Sequence, residues 1–194
     1  MGLWGCPMSY SMSEIESHCR KATRGAGFSW GEAEDAGQAV RRLSAAGLAG
    51  ADALLACLTA REAGKVKDSA CPIKLGNQMI DGAKPDLNAC HTPLLLLPFL
   101  SLLADDQGTA LSLQGKTFQG LATPDGGLHL IHPAPEDSGL RILPSAAPSA
   151  ELVWRAECSQ ETYDALNLFC QRTYAPETDA SRAKGAGAGE DGNA

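Results

Sequence analysis

Apolar and polar positions follow two regimes along this chain: a helical spacing up to about Arg61, and a two-residue alternation after Ala110. In the first regime Ser13-Glu14-Ile15-Glu16 reads as a capping box, in which the Ser hydroxyl accepts from a first-turn amide and Glu16 reaches back to the cap. A helix is therefore expected over about 14–24, with Ile15, Cys19 and Ala22 facing inward and Gly25 as its stop. Ser29-Trp30-Gly31-Glu32 repeats the device and opens a second helix to about Ala46. Its inward stripe of Ala33, Ala36, Gly37, Val40, Leu43 and Ser44 carries side chains small enough for close helix packing. A third helix over about 51–62 turns Leu54, Leu55 and Leu58 inward.

Gly and Pro break the pattern between Cys71 and Gly82, which predicts a loop with one short element. The leucine-rich run 94–104, interrupted by Pro98 and Ser101, is too short to span a bilayer and reads as a buried strand passing into a short helix after Pro98. Residues 110–114, 116–122 and 128–131 then alternate, separated by Gly115 and by Pro124-Asp125-Gly126-Gly127, as an antiparallel meander does. Two more strands are expected over 140–143 and 151–157. Ser159 caps a last helix that points Tyr163, Leu166, Phe169 and Cys170 inward. This order predicts an α+β fold, with an N-terminal layer of three helices packed on an antiparallel sheet and one C-terminal helix. The expected limits are a single domain over 13–176, a flexible lead over 1–12 and a mobile Gly/Ala-rich tail over 177–194.

Composition narrows the function classes. The chain has 194 residues, 44% of them hydrophobic, and a net charge of −7, a balance that disfavours nucleic acid and anionic membrane as partners. Residues 1–12 contain no Lys or Arg and no apolar run of signal-peptide length, so the expected location is the cytoplasm. Seven cysteines with no C-x-x-C pair predict neither a structural zinc site nor, in a cytoplasmic protein, disulfides. No metal and no cofactor are expected. Gly115-Lys116-Thr117 lacks the earlier glycine of a P-loop, Ala110 standing in its place, and Gly25 to Gly31 misses the dinucleotide spacing and follows a helix. His129 and His132 fall on opposite faces of a strand.

Two groups of residues carry candidate chemistry. Cys71, followed by Pro72, is placed to meet His91 across the fold, with Asp81 to orient the imidazole or act as a base; an imidazole beside a thiol favours the nucleophilic thiolate. These three are the candidate catalytic residues, expected in a cleft between the helical layer and the sheet. The competing reading makes Cys71 core, His91 a loop hydrogen-bonder and Asp81 a turn residue. Arg20, Lys21 and Arg24, arriving beside Ser29 and the amides that open the second helix, form a candidate anion site for a carboxylate or phosphate. Alternatively the glycines there allow a tight turn, and the bases neutralise the end of the first helix.

The segment 20–37 (RKATRGAGFSWGEAEDAG), Cys71-Pro72-Ile73 with Gly76 and Asp81, the stretch 93–99, and Arg172-Thr173-Tyr174-Ala175-Pro176 with Ser181, Arg182 and the glycines at 185, 187 and 189 together resemble a bacterial family catalogued only as a domain of unknown function. The resemblance covers about 12–190 and brings no activity, substrate or catalytic residue with it. It implies that the Gly-rich tail belongs to the family pattern. The reading that follows is a protein handling a small anionic or amino-acid-like metabolite, as a minor enzyme or accessory component. The alternative is a non-catalytic interaction or regulatory module, for which a protein partner or a homo-oligomer is expected.

Overall fold

The computed structural model describes residues 8–146 and 151–174. The tail and residues 1–7 lie outside the described residues, as does Pro176. The fold is α+β, with helices leading, an antiparallel sheet following and one helix closing the chain.

Strand β1 (Met8–Ser11) runs directly into α1 (Met12–Gly25), where Ser11 is the N-cap and its hydroxyl accepts from the Glu14 amide at 3.1 Å. The helix thus starts two residues before the position predicted from Ser13. Ser11-x-x-Glu14 and Ser13-x-x-Glu16 carry the same signature, and the extended backbone supplied by β1 selects the first. Glu16 is left to pair with Arg41 across the helix interface at 2.9 Å. Part of the lead expected to be flexible is therefore ordered, because β1 pairs antiparallel with β6 (Arg155–Cys158).

In α2 (Trp30–Ala45) the capping box forms as predicted, Ser29 N–H donating to Glu32 at 2.8 Å and Glu32 N–H to the Ser29 hydroxyl at 3.3 Å. The small stripe brings α1 and α2 into close contact: a Cβ on Gly37 would lie 2.9 Å from the Glu16 carbonyl. Helix α3 (Gly50–Glu62) completes the layer.

Two segments depart from the predicted pattern. Cys71 to Gly82 forms a helix, α4 (Pro72–Ile80), with proline in its first turn, where no amide is needed. Gly76 is not a breaker there but a contact, the Phe99 ring lying where a Cβ would stand, 2.4 Å from its nearest atom. The leucine run holds no strand: a 3-10 turn (Pro93–Leu96) leads into α5 (Leu97–Gln107), which ends at Gly108 with φ 63°. A short apolar run, buried over most of its length, offers too few polar positions from which its period could be read.

Strands β2 (Leu111–Gln114), β3 (Gln119–Ala122), β4 (Leu128–His132) and β5 (Arg141–Pro144) form one antiparallel sheet in the order β4-β3-β2-β5. Helix α5 packs on it, with Leu97 filling the space over Gly120. The chain ends its described part in α6 (Gln160–Gln171), capped by Ser159 as predicted and packed on α1. Among the described residues no helix is long and apolar enough to cross a membrane.

Candidate functional site

Helix α4 ends at Asp81, and Gly82, at φ 82°, turns the chain into the segment that leads to Leu87. This segment, α5 and the paired strands β2 and β5 enclose a cavity of about 760 Å³. Met79, Leu87, Leu111, Leu140 and Ile142 give it an apolar floor, all but Ile142 buried. At the rim stand Lys84 and Arg141, neither in an ion pair among the described residues. Asp86 also reaches the rim, where one carboxylate oxygen accepts from the Asn88 amide at 2.9 Å. In a protein of net charge −7 this mouth carries two uncommitted cations against one carboxylate.

A second hollow, of about 430 Å³, shares Asn88 with the first and is bordered by Val66, Ala70, Cys90, His91 and Glu136. The His91 amide donates to the Ala70 carbonyl at 3.0 Å. Its ring nitrogens are both engaged, Nε2 with Glu136 at 3.3 Å and Nδ1 with the Thr92 hydroxyl at 2.6 Å.

Cys71, His91 and Asp81 are not gathered into one cleft. Cys71 is the N-cap of α4 and Asp81 its C-cap, so the nine residues of that helix stand between them, a rise of about 13 Å. His91 is a neighbour of Cys71 through the Ala70 carbonyl, but its nitrogens serve Glu136 and Thr92. At the basic corner, Arg24 donates to the Phe28 carbonyl at 2.5 Å and lies over the Trp30 ring. The Ser29 hydroxyl accepts from the Glu32 amide, the Glu32 carboxylate accepts from the Ser29 amide, and Lys74 holds Glu32 at 2.7 Å. The Glu32 carboxylate thus stands at the start of α2 beside the candidate anion residue Ser29. Arg20 is half-buried against Gly37, and Lys21 is exposed.

The contact of one thiol had no local signal in the sequence. Cys170 on α6 lies 3.8 Å from His18 Nδ1 while His18 Nε2 meets the Tyr163 carbonyl at 3.0 Å. Burial holds His18 below its ordinary value and raises Cys170, so this pair stays a neutral thiol and imidazole joining α1 to α6.

Residues 10–83 match the family model described as "Protein of unknown function (DUF3726)". That stretch is similar to this family of unknown function. The DUF3726 match runs from the end of β1 to the turn after α4 and stops before the leucine run, the four-stranded sheet and the C-terminal motifs. It is shorter than the 12–190 implied by the resemblance. The larger cavity thus joins the end of the matched segment, Met79 to Ala83, to the sheet that follows it. No curated protein and no solved structure matches the chain.

Proposed function

We propose that the protein binds a small metabolite with an apolar body and an anionic end in the cavity between the segment 82–88, α5 and the β2–β5 edge, as a minor enzyme or accessory component. The observation that carries this reading is the pairing of a buried apolar floor with Lys84 and Arg141 uncommitted at the mouth. Ligand sites are commonly hollows of roughly 300–1,000 Å³ lined by apolar side chains with a few polar groups that fix orientation. Burial of a hydrocarbon body on Leu87, Leu111 and Leu140 supplies affinity, and the two cations supply the preference for a carboxylate over an amine. The anion specificity assigned from sequence to Arg20, Lys21, Arg24 and Ser29 moves in this reading to Lys84 and Arg141.

Calorimetry with octanoate tests it. The K84E/R141E double variant is expected to weaken octanoate binding at least about tenfold, and Leu140→Trp, which fills the floor, to abolish it. Octylamine is expected to bind the unaltered protein more weakly than octanoate. Equal octanoate affinity in the parent and the double variant overturns the reading.

The alternative, a non-catalytic interaction or regulatory module, has one feature in its favour. Leu152, Val153 and Trp154 stand exposed ahead of β6, Trp154 at 89%.

A further inference from the structure

A third hollow, of about 300 Å³, lies between the turn from α2 to α3 and the strand β6, and shares no residue with the larger cavity. Gly47, at φ 70°, turns the chain out of α2, so that Gly47, Leu48 and Ala49 form one wall. The other wall is Val153 with Arg155 and Glu157, two residues on one face of β6, the face turned away from the buried Ala156 and Cys158. The Val153 amide donates to the Ala45 carbonyl at 2.7 Å and fixes this wall against the end of α2.

The polar groups around this hollow are not satisfied by one another. Ser44 on α2, 5% exposed, borders it, and its hydroxyl has no hydrogen-bond partner among the described residues. A buried hydroxyl inside a helix ordinarily returns to the carbonyl one turn back, as Thr23 does to Cys19 at 2.9 Å; Ser44 makes no such bond, and an acceptor placed in the hollow would supply its partner. No side chain caps α3, whose N-cap is Ala49, and Asp52 in its first turn is bonded instead to the Thr162 hydroxyl of α6. The positive end of α3 therefore meets the hollow at Ala49. Arg155 is held by Ser9 on β1, to which Nε donates at 2.6 Å and Nη2 at 2.7 Å, and Nη1 has no bond among the described residues. Glu157, opposite in charge and two residues on, neither pairs with Arg155 nor enters any other ion pair among the described residues. A cation and an anion thus border one hollow without neutralising each other.

We propose that this hollow binds a small aliphatic α-amino acid as its zwitterion. The ligand carboxylate accepts from the Ser44 hydroxyl, the first-turn amides of α3 and Arg155, the ligand ammonium group donates to Glu157, and the short side chain rests on Leu48 and Val153. The volume stands at the lower end of the range for small-molecule sites, which suits a ligand of this size. Each end of the zwitterion meets a group that the fold leaves without a partner, so a ligand lacking either end leaves one of them unanswered. This site does not depend on the larger cavity binding anything.

An amide chemical-shift titration of the full chain with L-valine tests the proposal, alongside isovalerate, which lacks the ammonium group, and isobutylamine, which lacks the carboxylate. Saturable shifts are expected at Gly47, Leu48, Ala49, Val153 and Glu157, and both comparison compounds are expected to bind at least about tenfold more weakly than L-valine. Ser44→Ala, which removes only the hydroxyl oxygen, is expected to weaken L-valine at least about threefold and to leave isobutylamine unchanged. Glu157→Gln is expected to weaken L-valine and to leave isovalerate unchanged. The three compounds compared on the parent chain decide the matter even where a variant fails to fold. Absence of saturable shifts in this hollow at millimolar L-valine, or binding of isovalerate or isobutylamine as tight as that of L-valine, overturns the assignment.

Discussion

Replacing Gly25 by alanine is expected to cost about 3 kcal/mol or more of folding stability, read as a drop in the urea midpoint. A Cβ at this position would stand 1.8 Å from the Phe169 carbonyl oxygen and 2.7 Å from its carbon. Both are backbone atoms of α6, so no rotamer change relieves the overlap, and the last turn of α1 must move off the closing helix. The contact between these helices is also where His18 and Cys170 meet, and its loosening is expected to expose both. Gly31, which has nothing within 4 Å of its would-be Cβ and lies in the first turn of α2, provides the control. Gly31→Ala is expected to be neutral or to gain up to about 1 kcal/mol. A similar loss at both positions would show that the α1–α6 approach is not tight.

The second large effect lies at Asp137. Its carboxylate accepts from the amides of Lys116 at 3.0 Å, Thr117 at 2.7 Å, Phe118 at 2.6 Å and Ser138 at 2.5 Å, and from the Thr117 hydroxyl at 3.1 Å. One side chain thereby fastens the β2–β3 turn to the segment before β5, and Gly115 is glycine because a Cβ there would meet the carboxylate at 2.3 Å. Burial works to raise the pKa of this group, but the four amide bonds outweigh it and bring the value down to about 2. Such a lowered carboxylate contributes stability that is present in full above its unfolded value near 4. That contribution is lost as the pH falls from there through about 2 and amounts to roughly 2 kcal/mol. Asp137→Ala is expected to cost about 3 kcal/mol at pH 7, because the amides lose a charged acceptor inside a half-closed turn. Asp137→Asn keeps one acceptor oxygen and is expected to flatten the stability profile between about pH 4 and pH 2. A parent profile already flat in that window would contradict the assignment.

Much of the helical layer was legible because its signals are local. Ser29 and Glu32 announce α2 within four residues, and the small stripe from Ala33 to Ser44 announces the close approach to α1 that Gly37 permits. The start of α1 was misplaced because two overlapping Ser-x-x-Glu patterns are equivalent until β1 is paired with β6, a partner remote in sequence. Helix α4 was hidden by Gly76, whose role as a seat for Phe99 exists only after α4 and α5 have packed. The strands were visible as alternation, but alternation does not name partners: β5 adds to the β2 edge, and β6 leaves for a separate sheet.

The same distinction governs the site. Cys71 stood out beside Pro72, but its separation from the expected partners was not readable, since α4 places Asp81 at its far end and His91 turns to Glu136 and Thr92. Lys84 and Arg141 had no motif to mark them. They share a cavity mouth because β5 pairs with β2 beside the segment that leaves α4.

The most direct test of the ligand cavity is an amide chemical-shift titration of the full chain with octanoate. The account predicts perturbations confined to Gly82, Leu87, Gln107 and the residues 140–143, saturating together and absent in the K84E/R141E variant. Perturbations centred on Arg20, Arg24 and Ser29 instead, or an unchanged pattern in the variant, would contradict it.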